Sequence, residues 1–257
     1  MCIILLAHQA HAEYVLVLAA NRDEYYERPT AQAHFWPDAP EVLAGRDLER
    51  GGTWLGLTRS GRISAVTNYR EPGAKMADAL SRGALVSDYL RGGACADEYL
   101  SELVPRASLY NGFNLILGVP GRLRYFSNRK AGAQTIGPGV HGVSNHLLNT
   151  GWPKVSRGRR ALKEILAGEN LCIEELFKVL ADDARAEDAM LPETGVGLEL
   201  ERVLSPLFVK AAVYGTRSST VVVVNRRQEV VFVERTFSPA SPGYEEVSYE
   251  FKIRSER

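Results

Sequence analysis

Cys2, directly behind Met1, offers the most reactive chemistry in this chain. Removal of the initiator Met would leave Cys2 at the chain end. A terminal cysteine carries its own base, because the α-amino group titrates near ~8 and is able to take the thiol proton. Further on stand four consecutive polar residues, Asn21-Arg22-Asp23-Glu24, directly behind an apolar run. A guanidinium beside a thiol favours thiolate, and a carboxylate is suited to hold the terminal ammonium. Asn68 and Asn145 each close a strand-like run, and Asn amides serve as donors to a developing oxyanion. Asn111 and Asn114 are alternatives, although Asn111-Gly112 is also a common turn signal. Arg217 lies in the polar stretch between Tyr214 and Thr220, where it is placed to clamp a carboxylate or bias a thiol toward thiolate.

The opening segment must bring residue 2 to the polar cluster. Ile3 to Ala7 and Tyr14 to Ala20 are apolar, and a short polar segment separates them, which predicts a β-hairpin. A turn centred near His11 places Cys2 beside Ala20 or Asn21, with Arg22 and Asp23 next in line. His8 and His11 fall at the far end of that hairpin, too distant to serve Cys2. Residues 25–50 read as loop, broken by Pro29, Pro37 and Pro40. Hairpins are expected around Ser60-Gly61 and Pro120-Gly121, and helices over 82–91, 95–104, 154–167 and 172–182. Cys95 and Cys172 fall on those helices and read as core or near-core residues. The acidic segment 183–206 reads as loop, and strands return from Ala211 to the end, with a polar break around Arg217. Antiparallel hairpins at both ends around central helices predict an α+β fold.

Composition narrows the function classes. With 31 basic and 31 acidic residues the formal charge is zero, so no surface of the kind nucleic acid needs is expected. Three cysteines are not a disulfide framework and fit a reducing, cytoplasmic setting. The N-terminal apolar run lacks a basic leader and ends at Arg22-Asp23-Glu24, which argues against a secretory signal. No run reaches the ~18 apolar residues of a membrane span. The five histidines make no zinc spacing, and the Gly-rich segments lack the phosphate-loop Lys-Ser/Thr.

Several motifs run the length of the chain in order. They are Met1-Cys2-Ile3, Asn21-Arg22-Asp23-Glu24, Glu27-Arg28-Pro29-Thr30, Gly51-Gly52-Thr53-Trp54-Leu55-Gly56 and Asn68-Tyr69-Arg70. Then follow Ser81-Arg82-Gly83, Tyr110-Asn111-Gly112-Phe113-Asn114, Gly142-Val143-Ser144-Asn145 and Tyr214-Gly215-Thr216-Arg217. In these the chain resembles the NRDE, or transport-and-Golgi-organisation, family. The resemblance implies one domain over 1–257 with the four-layer αββα sandwich of N-terminal-nucleophile hydrolases, closest to the bile-salt and penicillin V acylases. It further implies Cys2 as nucleophile, Arg22 and Asp23 as the pair that holds it, and Arg217 as the late arginine. Asn145 matches the oxyanion-hole Asn and Asn68 a second polar site residue. The expected function is cleavage of a non-peptide amide bond in a small molecule, without a cofactor. The alternative that the eukaryotic relatives imply is binding or trafficking of haem or a lipid-like ligand, with long loops at 25–50 and 183–206 roofing an apolar pocket.

Overall fold

A computed structural model describes every residue except Met1, Lys75, Glu169, Ala240 and 255–257. β1 (Cys2–His8) and β2 (Tyr14–Tyr25) form the opening hairpin, followed by β3 (Thr30–Trp36), β4 (Ala39–Asp47), β5 (Leu55–Thr58) and β6 (Ile63–Asn68). Helices α1 (Arg82–Arg91) and α2 (Ala96–Leu103) precede β7 (Phe113–Val119), β8 (Arg122–Ser127), β9 (Gln134–Ile136) and β10 (Gly139–Val143). Helices α3 (Pro153–Leu166), α4 (Ile173–Leu180) and α5 (Leu198–Val203) lead to β11 (Tyr214–Asn225), β12 (Glu229–Ser238) and β13 (Ser241–Lys252).

The strands make two antiparallel sheets, ordered β10-β1-β2-β11-β12-β13 and β3-β4-β5-β6-β7-β8-β9. Their facing surfaces bury one apolar cluster, in which Ile4, Leu6, Leu16 and Leu18 meet Leu43, Leu55, Leu57 and Ile116. A second cluster lies between the seven-stranded sheet and α1 and α2, through residues such as Leu85, Tyr89 and Phe113. A third lies between the six-stranded sheet and α3 and α4, through Ile3, Leu5, Val155 and Phe177. The layers are therefore α, β, β, α. This burial on both faces explains the unbroken apolar run of β1. Ile4 and Leu6 enter the inter-sheet core and Ile3, Leu5 and Ala7 the helical layer, so both faces bury apolar side chains.

Several sequence expectations change. The hairpin register pairs Cys2 with Arg22 and Ile3 with Asn21, rather than Cys2 with Ala20 or Asn21. The His11 imidazole sets this turn by accepting the Glu13 N–H at 3.1 Å, while Gln9 takes a positive φ of 49°. The segment 25–50 is mostly strand. Pro29 precedes β3, which is a sheet edge, and Pro37 lies between β3 and β4. Pro40 lies ahead of the Val42–Ala44 stretch that pairs with β5, so none of these prolines removes a ladder bond there. The segment 183–206 carries α5 and a short 3-10 turn, Asp188–Met190, and it buries Glu201 and Leu204. Cys95 and Cys172 are exposed N-cap residues of α2 and α4 and do not belong to the core. β11 runs unbroken through the polar stretch at 215–219, with a bulge between Thr216 and Ser218.

One close approach docks α1 beside the open ends of the sheets. A Cβ on Gly52 would come within 2.6 Å of the Gly83 carbonyl carbon, which is backbone and unable to yield cheaply. Gly52→Ala is therefore expected to cost about 1–3 kcal/mol through forced displacement of the α1 N-terminus. A urea midpoint unchanged from that of the parent chain would refute this.

Candidate functional site

The pleat of the first hairpin decides what residue 2 touches. Cys2 and Arg22 continue the inter-sheet faces of β1 and β2, beyond Ile4 and Ala20. Asn21 and Asp23 alternate to the helix-covered face, beyond Val17 and Ala19. Thiol and guanidinium thus share one face, and the carboxylate takes the other. The Cys2 thiol meets Asp23 through the Asp23 backbone N–H, whereas the carboxylate accepts from the Thr216 hydroxyl at 2.7 Å. Thr216 in turn accepts the Val209 N–H at 2.9 Å, which fixes its hydroxyl toward Asp23.

At this end of the sheets a cleft of about 370 Å³ opens, and Cys2, Arg22, Asp23, Asn68 and Arg217 are among its lining residues. Arginine dominates the wall, since Arg28, Arg46, Arg50 and Arg82 also face it. Arg22 donates to the Thr30 hydroxyl at 3.3 Å and lies 4.0 Å from the Glu24 carboxylate. Arg82, the first residue of α1, donates to the Gly112 carbonyl at 3.1 Å, and its charge acts on Cys2 and Glu24. Arg217 sits at the bulge of β11 and donates through Nη1 to the carbonyls of Tyr25, Tyr26 and Arg28 at 2.8, 3.1 and 3.0 Å. It therefore fixes the turn between β2 and β3 as well as lining the cleft. Among the described residues no histidine lines this cleft.

Burial opposes the thiolate that Arg22 favours. It pushes the Cys2 thiol above its ordinary value, and the Asp23 charge adds to that, while Arg22 pulls weakly the other way. The resting group is the thiol, so its use as a nucleophile needs a base. Burial also raises Asp23, opposed by Lys154, the Thr216 hydrogen bond and Arg22. Glu234, inside the cleft on β12, is raised by burial and held by the Ala33 N–H at 2.7 Å and the Thr220 hydroxyl at 3.2 Å.

The asparagines divide their work. Asn68 ends β6 and lines the cleft. Asn145, fully buried, is not among the lining residues and donates its amide N–H to the Asn68 carbonyl at 3.0 Å. It accepts from the Ser144 hydroxyl at 3.1 Å, and that same hydroxyl lies 2.9 Å from the Cys2 carbonyl. Asn21 is structural in its contacts. It donates to the carbonyls of Leu180 and Leu207 at 2.8 and 2.9 Å and accepts from Ser219 at 2.6 Å.

Sequence reasoning assigned no role to Arg82, Glu234 or Lys154. Arg82 lies in the Ser81-Arg82-Gly83 motif, one of those in which the chain resembles the family, and that was a usable signal. Lys154 carried no signal, because a lysine in the first turn of an amphipathic helix normally reaches water. Here it is 2 % exposed. Beside it, Arg70 and Glu201 form a buried ion pair, their side chains 5 % and 4 % exposed, which Thr194 caps through its N–H at 3.1 Å. Arg70→Met would leave the Glu201 carboxylate buried without its cation and is expected to cost about 3–5 kcal/mol. Adding Glu201→Gln should recover most of that loss in urea unfolding, and a loss equal in the two variants would contradict the pairing.

Comparison with known proteins adds the family. The family model for Transport and Golgi organisation 2 matches residues 1–239. The chain belongs to this family. It is 35 % identical over 260 residues to the Transport and Golgi organization 2 homolog of Mus musculus, covering 94 % of each chain. It is 29 % identical over 275 residues to Transport and Golgi organization protein 2 of Drosophila melanogaster, again with 94 % of each covered. Among solved structures it resembles the Caenorhabditis elegans N-acylethanolamine-hydrolyzing acid amidase ortholog, at TM-score 0.51 and 13 % identity, covering 86 % of this chain and 92 % of that one. It also resembles the C2A mutant of conjugated bile acid hydrolase from Clostridium perfringens, at TM-score 0.51 and 10 % identity, covering 100 % of this chain and 99 % of that one. These likenesses show the fold, the αββα sandwich; in this chain a buried cysteine stands at the start of its first strand. Among the described residues, no helix is long and apolar enough to cross a membrane.

Proposed function

We propose that this protein, once Met1 is removed, is a cysteine hydrolase that cleaves an amide bond in a small molecule through an acyl-Cys2 intermediate. The observation that carries the reading is the meeting of Cys2, Arg22, Asn68 and Arg217 at one cleft, with Asp23 beneath the same strand ends. The thiol then serves the cleft while Asp23 holds the amine from the helical side.

In this reaction the free Cys2 amine takes the thiol proton as sulfur attacks the carbonyl carbon. Asn68 donates to the developing oxyanion, and Asn145 holds the Asn68 backbone in place. The C–N bond breaks as the ammonium proton passes to the leaving nitrogen. Water, deprotonated by the same amine, attacks the thioester, and the acid departs as the thiol regains its proton. Arg22, Arg82 and Arg217 supply positive charge to an anionic part of the substrate.

Intact mass measured after incubation with an amide-mimicking electrophile tests this. Protein lighter by one Met residue should gain one acyl group at Cys2, and protein retaining Met1 should gain none. Equal labelling of Cys2, Cys95 and Cys172 would defeat the proposal. The haem or lipid alternative gains no support from the site. The segment 25–50 lines the cleft with strands rather than loop, and the cleft wall is charged and carries no histidine among the described residues.

A further inference from the structure

We propose that a second cavity, at the opposite end of the sheets from the cleft, binds a small organic anion through Arg62 and Arg122. The cavity measures about 480 Å³, a size that suits a small molecule. The β5–β6 hairpin spans the distance between the two openings. Trp54 and Asn68, at its open end, line the cleft, whereas Ser60 and Gly61, at its turn, line this cavity. Helix α1 runs the same way, from Arg82 at the cleft to Tyr89 here. Among the described residues none lines both openings.

Sheet register explains why two cations meet at this end. Ile63 pairs with Gly118 on β7, and Gly118 pairs with Leu123 on β8. Arg62 and Arg122 each precede one of those partners, so they stand on one row, two strands and roughly 10 Å apart along the backbone. Ile63 and Leu123 enter the inter-sheet core, so the residue before each turns to the helix-covered face. There the Arg62 guanidinium lies over the Tyr89 ring of α1 at 4.1 Å and donates to the Tyr89 carbonyl at 2.5 Å, while its Nε is buried without a partner. The neighbouring arginines are already paired. Arg124 meets Asp97 of α2 at 2.9 Å and Arg254 meets Glu41 at 3.3 Å. Asp97 is the one carboxylate among the described residues of the wall, and among the described residues no ion pair engages Arg62 or Arg122. Two cations on one row repel one another until an oxyanion bridges them. A guanidinium held by ring stacking and one backbone bond keeps its other N–H groups free for a carboxylate or phosphate. Val119 and Pro120, at the β7–β8 turn, add apolar wall for the carbon part of such a molecule.

Cys95 is exposed on this wall and reports occupancy without any turnover. In the full chain carrying Cys2→Ala and Cys172→Ala, the rate at which neutral N-ethylmaleimide modifies Cys95 should fall saturably as benzoate or phenyl phosphate is added. The probe that protects at the lower concentration distinguishes carboxylate from phosphate recognition. Arg62→Met should weaken protection about tenfold or more, the scale of losing a charge-assisted hydrogen bond. Arg122→Met, at an exposed side chain, should do the same and decides the matter if Arg62→Met fails to fold. Arg82→Met, in the cleft, should leave the protection of Cys95 as it was. No protection by either probe at roughly 10 mM, or protection that persists in both Arg62→Met and Arg122→Met, overturns the proposal. Protection lost in Arg82→Met would place the probe in the cleft and overturn it equally. The hydrolase reading is independent, because the two openings share no described wall residue.

Discussion

Replacing Cys2 by Ala is expected to abolish acyl-adduct formation and to lower amide turnover on the order of 10³–10⁶-fold, the scale of losing a nucleophile that acts with its base as one unit. Cys95→Ala and Cys172→Ala should leave turnover within about twofold, because both thiols are exposed cap residues outside the cleft. Stability should change little in Cys2→Ala, since only one sulfur atom leaves a site at the edge of the inter-sheet core. Cys2→Ser carries a second piece of information. Burial pushes the Cys2 thiol above its ordinary value, which favours a nucleophile that relies on its base over a standing thiolate. A hydroxyl is far harder to deprotonate, and the serine variant should approach the alanine one. Turnover retained in Cys2→Ala, measured on protein shown by mass to lack Met1, would remove Cys2 from the mechanism.

Asn21→Ala should cost about 3–5 kcal/mol in urea unfolding while leaving the cleft residues untouched. The side chain is fully buried and spans three segments. It satisfies the last-turn carbonyl of α4 at Leu180, the carbonyl of Leu207 and the hydroxyl of Ser219 on β11. Truncation leaves each of these without its partner, and a buried unsatisfied group costs roughly 1–3 kcal/mol. Asn21→Asp is expected to fare no better, because a carboxylate would face two carbonyl oxygens where the amide now donates. A loss under about 1 kcal/mol would show that water or a shift of α4 replaces these bonds. In the run Asn21-Arg22-Asp23-Glu24, then, the first residue serves the fold, and the cleft lining begins with the second.

Much of the arrangement was legible beforehand because it is local. The paired apolar runs around His11 made a hairpin, and a hairpin necessarily returns residue 2 to the neighbourhood of residue 22. The hairpins at Ser60-Gly61 and Pro120-Gly121 were read from turn chemistry and fall where expected, between β5 and β6 and between β7 and β8. Helices α1, α2, α3 and α4 were read within two residues from apolar spacing. The prolines of 25–50 misled, since a proline at a sheet edge or in a turn breaks no ladder bond. The helix in 183–206 was hidden because its short length and acidic surface gave no periodic signal.

The sequence by itself determined which residue is the candidate nucleophile and that an arginine and a carboxylate arrive beside it, because pairing along one hairpin needs only neighbouring chain. Only the tertiary structure decided which face each side chain takes, since one residue of register inverts every side chain along a strand. It alone placed Arg217 and Arg82 at the cleft, set Asn145 next to Asn68 rather than in the wall, and buried Lys154 beside the Arg70–Glu201 pair. These contacts join the two sheets and the helical layers. Their cause is the burial of three separate apolar clusters, a property of the packed layers that no local stretch of sequence contains.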